Sequence, residues 1–208
     1  MPAVYFSNFP LRPYSLNTNA APGEFEWVTD IFRRAAPVKN LLKNRELFYQ
    51  YTVLDGETPE IIADNEYGSP NFHWVVTILN NIRDPLLEWP KKYGDLVAYV
   101  NDKYGSLAVA SATNHHYTMT ITKVDSLGYS SSETSIIDQT KYDTLVSLVP
   151  EVYTFSGGRT VTVTTTRSSV DCYTYEIDLN ESKRNIQLLQ ENYLPQVMSE
   201  LEKIMGTT

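Results

Sequence analysis

Residues 51–90, YTVLDGETPEIIADNEYGSPNFHWVVTILNNIRDPLLEWP, restrict the folds open to this chain more than any other stretch. Tyr51-Thr52-Val53 has strand character and runs into a turn at Leu54-Asp55-Gly56-Glu57. Thr58-Pro59 then predicts a helix start. A threonine at the N-cap accepts a hydrogen bond from a free helix N–H, and proline at the first helical position gives up an N–H that has no partner there. Ile61, Ile62 and Ala63 supply an apolar side, and Tyr67-Gly68-Ser69-Pro70 ends the helix. A second helix is predicted over residues 71–80, because Phe72, Val75, Val76 and Leu79 fall at i, i+3, i+4 and i+7.

That second helix predicts contact as well as structure. Phe72, Trp74, Val75, Val76, Ile78 and Leu79 cover most of its circumference, and a helix apolar all round is buried on more than one side. A small module covers one face only. The other face meets either the rest of the chain or another protein.

Composition excludes several partners. The 208 residues carry a net charge of −8, which argues against the broad basic surface needed for nucleic acid or an anionic membrane. A hydrophobic content of 42% and a mean hydropathy of −0.31 describe a globular chain with a true core. The longest apolar run, residues 74–79, is too short to span a bilayer. Cys172 is the lone cysteine, so no intramolecular disulfide can form, in keeping with a reducing compartment. The opening MPAVYFSNFPLRPYSLN lacks the basic-then-apolar pattern of a signal, and the expectation is assembly in a cytoplasm.

Residues 1–23 are rich in proline, asparagine and aromatics, and Pro10, Pro13 and Pro22 hold their neighbours extended. Such an arm, with Tyr5, Phe6, Phe9 and Tyr14 as pegs, needs a surface, either this chain's own or a partner's. Residues 38–48 fit helix or extended chain equally. Asp84-Pro85-Leu86-Leu87-Glu88-Trp89-Pro90 is a turn-rich connector. A third helix is predicted over residues 92–104, with Leu96, Val97, Val100 and Tyr104 as its stripe, Tyr99 beside it and Gly105 as its stop. From 106 to 169 the chain is dense in Ser, Thr and β-branched residues. Alternation predicts strands through Tyr117, Met119 and Ile121, through Val161 and Val163, and through Tyr173, Tyr175 and Ile177. Gly157-Gly158 predicts a hairpin turn, and Ser130-Ser131-Ser132 an exposed loop. A last amphipathic helix over 193–205 carries Leu194, Val197, Met198, Leu201, Ile204 and Met205, with Pro195 in its first turn.

Tyr51-Thr52-Val53, Asp55-Gly56-Glu57-Thr58, Ile61-Ile62-Ala63 and Tyr67-Gly68 resemble the first half of a LysM module, a small βααβ unit known for binding N-acetylglucosamine polymers. The continuation departs from a glycan-binding LysM, since Asn80–Pro85 and Trp89-Pro90 replace its Asn-rich loop and Pro-Gly turn. With His73-Trp74-Val75-Val76, that continuation resembles the small LysM-like baseplate wedge subunit of T-even-type contractile-tailed phages. Two flanking signatures are similar to the same family. One is Val28-Thr29-Asp30-Ile31-Phe32-Arg33-Arg34, and the other is Asn180-Glu181-Ser182-Lys183-Arg184 with the aliphatic run and helix that follow.

The resemblance implies an α+β fold: a LysM-like βαα(β) core, an extended N-terminal arm, an antiparallel β element in the C-terminal half and a C-terminal amphipathic helix. The expected division is 1–48, 49–105, 106–179 and 180–208. It implies a virion component of the tail baseplate, assembled in the host cytoplasm, that clamps elongated wedge subunits and helps join neighbouring wedges, with the central hub or tail-tube initiator as a further contact. Arg33, Arg34, Phe72, His73, Trp74, Ile78, Trp89, Lys183 and Arg184 are the expected partner-binding residues, arginine forks being suited to bidentate pairing with carboxylates. The alternative reading is a peptidoglycan- or chitin-binding LysM module, which the replaced loop disfavours.

No catalytic constellation emerges. Asp55 with Glu57 could be drawn as an acid/base pair for glycoside cleavage, but such residues serve turns and caps in this position. His115 and His116 are adjacent and point to opposite faces of a strand, so they do not share a metal easily. His73 within the apolar helix is read as a packing residue. No phosphate loop, HExxH or Gly-x-Ser-x-Gly occurs. The expectation is a non-enzyme without metal or cofactor.

Overall fold

A computed structural model describes residues 9–15, 25–31, 45–146 and 148–205. Arg33 and Arg34, like Tyr5, Phe6 and most of 38–48, lie outside the described residues. In chain order, β1 (Leu11–Tyr14) and β2 (Glu26–Thr29) are followed by β3 (Phe48–Thr52), α1 (Pro59–Tyr67), α2 (His73–Leu79) and α3 (Pro85–Glu88). Then come α4 (Tyr93–Tyr104), α5 (Leu107–Ala112), β4 (Asn114–Asp125), β5 (Ser130–Ile137) and α6 (Gln139–Thr144). The chain closes with β6 (Glu151–Thr154), β7 (Thr160–Asp171), α7 (Cys172–Ser182), β8 (Asn185–Leu189) and α8 (Leu194–Met205). The fold is α+β with antiparallel sheets and a C-terminal helix.

Two compact units result. One combines Met1–Lys92 with Glu181–Thr208, and the other is Tyr93–Asn180.

In the first unit, the helix starts and stops are where the residues dictate. Thr58 accepts from the Ile61 N–H, Pro59 opens α1, and Gly68 ends it at φ +69°, a left-handed conformation that favours glycine. Pro70–Phe72 forms a 3-10 turn that leads into α2. The strand that completes the unit comes from far along the chain. β8 pairs antiparallel with β3, Tyr51 opposite Ile186 and Phe48 opposite Leu189. The resulting β3–α1–α2–β8 order matches the βααβ pattern implied by the resemblance, with the second unit inserted before its last strand. Ile62, Val53, Val75, Val76, Leu188 and Leu189 are fully buried between the sheet and helices. Each stabilises by roughly 1.5–3 kcal/mol. Of the three apolar residues assigned to α1, Ile62 and Ala63 face this core and Ile61 is exposed. Phe9 enters the same core, so this part of the N-terminal arm lies on the chain's own surface. Residues 85–88 of the expected connector wind into a helical turn, because the Asp84 side chain accepts from the Leu86 N–H at 3.0 Å.

In the second unit, α4 buries Leu96 and Val100 against Ala110 and Cys172, with Tyr104, Leu107, Tyr173 and Ile177 packed around them. Tyr173, Tyr175 and Ile177 were expected on a strand and are helical instead. The Asp171 carboxylate accepts from the Thr174 N–H at 2.9 Å and its hydroxyl at 2.8 Å, which caps α7. Cys172, Glu176 and Asn180, four residues apart, are the positions α7 buries. The two-residue alternation was real but short, and the cap with the four-residue spacing outweighs it. Ser130-Ser131-Ser132, expected as a loop, begins β5, which pairs with β4 from Val124↔Ser130 to Tyr117↔Ile137. The four-stranded sheet runs β5-β4-β7-β6. Its β6–β7 turn is the hairpin expected at Gly157-Gly158, closed by Phe155 N–H to the Arg159 carbonyl at 2.8 Å.

Candidate interaction surface

The expected partner-binding residues that the structure describes are engaged within the first unit. Trp74 is only 5% exposed, and Phe72 and Ile78 pack on the same core. The question left open for the second face of α2 is thereby answered: the chain supplies the cover itself. Trp89 is buried and donates from its indole N–H to the Glu57 carbonyl at 2.8 Å. His73 is partly exposed, with Nδ1 at 3.0 Å from the Pro70 carbonyl. Lys183 donates to the Leu87 carbonyl at 2.7 Å. Arg184 donates to Glu181 at 2.8 Å, to Asp55 at 3.0 Å and to the Val53 carbonyl at 3.1 Å. These contacts help to fix the body of the unit, with Trp74 and Trp89 buried and Phe72, His73, Ile78, Lys183 and Arg184 partly exposed. A hydrophobic residue in a helix looks the same in sequence whether a core or a partner buries it.

An exposed apolar surface lies in β1 and β2, within the segments expected as an arm and a family signature. Leu11 pairs with Thr29, Pro13 with Trp27 and Tyr14 with Glu26, and the Asp30 N–H donates to the Pro10 carbonyl at 2.9 Å. In this register the odd-numbered residues share one face. Those residues are Leu11, Pro13, Trp27 and Thr29, largely apolar, and exposed Phe25 and Ile31 flank β2 on either side. Leu11 is 61% exposed, Trp27 67% and Ile31 62%. The opposite face carries Arg12, Glu26 and Asp30 beside Tyr14 and Val28. The signal that could have found this face was the alternation of Phe25, Trp27, Thr29 and Ile31. It is a period of two just ahead of Arg33 and Arg34.

Polar groups elsewhere serve structure. Glu57 accepts from the Tyr51 hydroxyl at 3.0 Å and the Leu54 N–H at 2.8 Å, which locks the turn before α1. With Asp55 held by Arg184, the two carboxylates are tied to the fold rather than to each other. In the second unit, buried Glu176 accepts from Lys103 at 2.6 Å and from the Tyr104 hydroxyl at 2.9 Å. Asp125 pairs with Arg159 and accepts from the Leu127 N–H at 3.0 Å, fixing the β4–β5 turn. Among the described residues, no group of His, Cys, Asp and Glu could hold a metal ion. No described helix is long and apolar enough to cross a membrane.

A family model described as Base plate wedge protein 53 matches residues 6–204 of the chain. No curated protein matches it.

Proposed function

The chain belongs to the Base plate wedge protein 53 family of phages, a family of structural base plate proteins, and from that premise we propose that it works as a clamp between wedge chains. In this reading the βααβ body is a rigid support turned from glycan binding to protein binding. The β1–β2 hairpin is the part that grips. It holds elongated wedge subunits, helps join neighbouring wedges around the hub, and is built into the tail in the host cytoplasm.

The observation that carries the reading is the exposed odd-numbered face of the hairpin. A two-stranded hairpin is marginal alone, and Leu11, Phe25, Trp27 and Ile31 leave large apolar area in water. Burial of such side chains at a contact supplies the anchor residues on which most binding energy rests. Arg33 and Arg34 follow Ile31 closely in sequence, and arginine forks suit bidentate pairing with carboxylates on a partner chain.

The test is Trp27→Asp in a phage whose own copy is inactivated. The purified variant keeps the urea midpoint of the parent chain, and its incorporation into base plates falls at least tenfold. Incorporation at the parent level would overturn the hairpin as the gripping surface.

A further inference from the structure

The outer edge of β5 points to a further contact of a different kind. The Asp125 N–H donates to the Tyr129 carbonyl at 2.8 Å, closing the β4–β5 turn. Along the regular register that follows, hydrogen-bonded and non-bonded pairs alternate. Odd-numbered β5 residues therefore bond to β4, while the backbone N–H and C=O of Ser130, Ser132, Thr134 and Ile136 point away from the sheet. The hydroxyl pairs Thr120–Thr134 at 2.9 Å and Thr122–Ser132 at 3.3 Å fall on the non-bonded rungs, where side chains come closest. β5 ends the sheet, and among the described residues no hydrogen bond reaches those outward groups.

Exposed edges are templates for another strand, and proteins blunt them with prolines, charged side chains (lysine above all), bulges, shortness or a covering group; β5 has a single charge, Glu133. Three other edges among the described residues are blunted. β1 contains Pro13 and Arg12, and β6 has four residues. The outer side of β8 is covered at Gln187, where the Asn80 amide both donates to its carbonyl and accepts its N–H at 2.8 Å. β5 has eight residues in unbroken register, no proline, no lysine and no bulge. Ile136 at its end is 73% exposed.

We propose that β5 accepts an extended strand from another base plate chain, which adds to the sheet as a fifth strand and carries a basic residue opposite Glu133. Glu133 is the one charged side chain of β5. Lys123 lies two rungs away on the same face, and no ion pair joins the two. An incoming lysine or arginine would pair with Glu133, and an apolar residue would cover Ile136. A second copy of this chain is the weaker occupant, because each copy carries a net charge of −8 and like-charged chains repel. The inference rests on the clamp reading only in taking the partner to be a base plate protein.

The test compares backbone hydrogen exchange of residues 130–137 in the purified full chain and in purified base plates. The outward amides of Ser132, Thr134 and Ile136 exchange freely in the chain alone and at least tenfold more slowly in base plates. Equal rates in both samples would overturn the proposal, while absence of the chain from purified base plates would overturn the clamp reading instead. Thr134→Pro removes an outward N–H that the β4 ladder does not use, so the chain folds and β5 stays unprotected in base plates; Thr134→Val retains the protection. Glu133→Lys lowers the protection at least fivefold. Unchanged protection in Thr134→Pro or Glu133→Lys would overturn strand addition or the basic partner, respectively. A dimer of the isolated chain abolished by Thr134→Pro would assign the edge to self-pairing and overturn the proposal.

Discussion

Arg184 and Asp55 meet at 3.0 Å across 129 positions of the chain. A second nitrogen of the same guanidinium donates to the Val53 carbonyl at 3.1 Å, and the Val53 N–H returns a bond to the Arg184 carbonyl at 2.8 Å. The chain thus re-enters the first unit by stapling itself to the turn ahead of α1, and β8 can then lie beside β3. The family-like segment Lys183-Arg184 acts here as the fastener of a discontinuous domain.

Arg184→Met should lower stability by about 1–3 kcal/mol, the usual worth of hydrogen bonds to charged groups with some allowance for the exposed Asp55. Arg184→Lys should recover only part, since an ammonium cannot serve the carboxylate and the carbonyl in one plane. Urea titrations with unchanged slope and a shifted midpoint would show it. An unshifted midpoint in both variants would mean that the staple contributes nothing.

Trp74→Ala should destabilise the chain by about 3–5 kcal/mol, the cost of emptying a buried aromatic site. Any loss from base plates would then follow from unfolding. This sets Trp74 apart from Trp27, where substitution should leave the isolated chain folded. Matching thermal unfolding of Trp74→Ala and the parent would contradict the core position of the indole.

Glu57→Ala should cost about 1–2 kcal/mol, because the Tyr51 hydroxyl and the Leu54 N–H lose their acceptor. The parent chain should neither clear a cell-wall suspension nor be retained saturably on purified peptidoglycan. Saturable retention would restore the glycan-binding reading of the LysM-like unit.

Alkaline pH should weaken the first unit. Burial, aided by the nearby Glu66 charge, pushes the Tyr67 hydroxyl up to about 12 from an ordinary value of about 10. A folded-state value above the unfolded one favours the folded state fully below pH about 10. That advantage is lost as pH rises from about 10 through about 12, by about 2 kcal/mol. Tyr67→Phe removes the hydroxyl that donates to the Leu189 carbonyl at 3.1 Å. It should flatten the alkaline limb of a stability profile while lowering the plateau near neutral pH. A limb of unchanged steepness would assign the alkaline loss to other groups.

Local signals in the sequence located much of the fold. Thr58-Pro59 and Gly68 bound α1 because caps and left-handed stops depend on a residue and its immediate neighbours. Leu96, Val100 and Gly105 marked α4 for the same reason. Tyr173-Thr174-Tyr175-Glu176-Ile177 misled, since five residues satisfy a period of two while the deciding cap, Asp171, sits just before them. Ser130–Ser132 misled in the opposite direction, because an edge strand with both faces wet needs no apolar alternation.

By itself the sequence determined the βαα start of the first unit, the helices and turns with their own caps, and the resemblance to base plate wedge proteins. Its net charge of −8 also argues against a broad basic surface. Only the tertiary structure decided where β8 goes, how α2 is covered, and that β1 and β2 present an exposed apolar face. Strand pairing and side-chain burial are set by residues far apart in the chain, such as Tyr51 and Ile186. A helix cap is set within one turn. The first kind of information exists only once the chain has closed on itself.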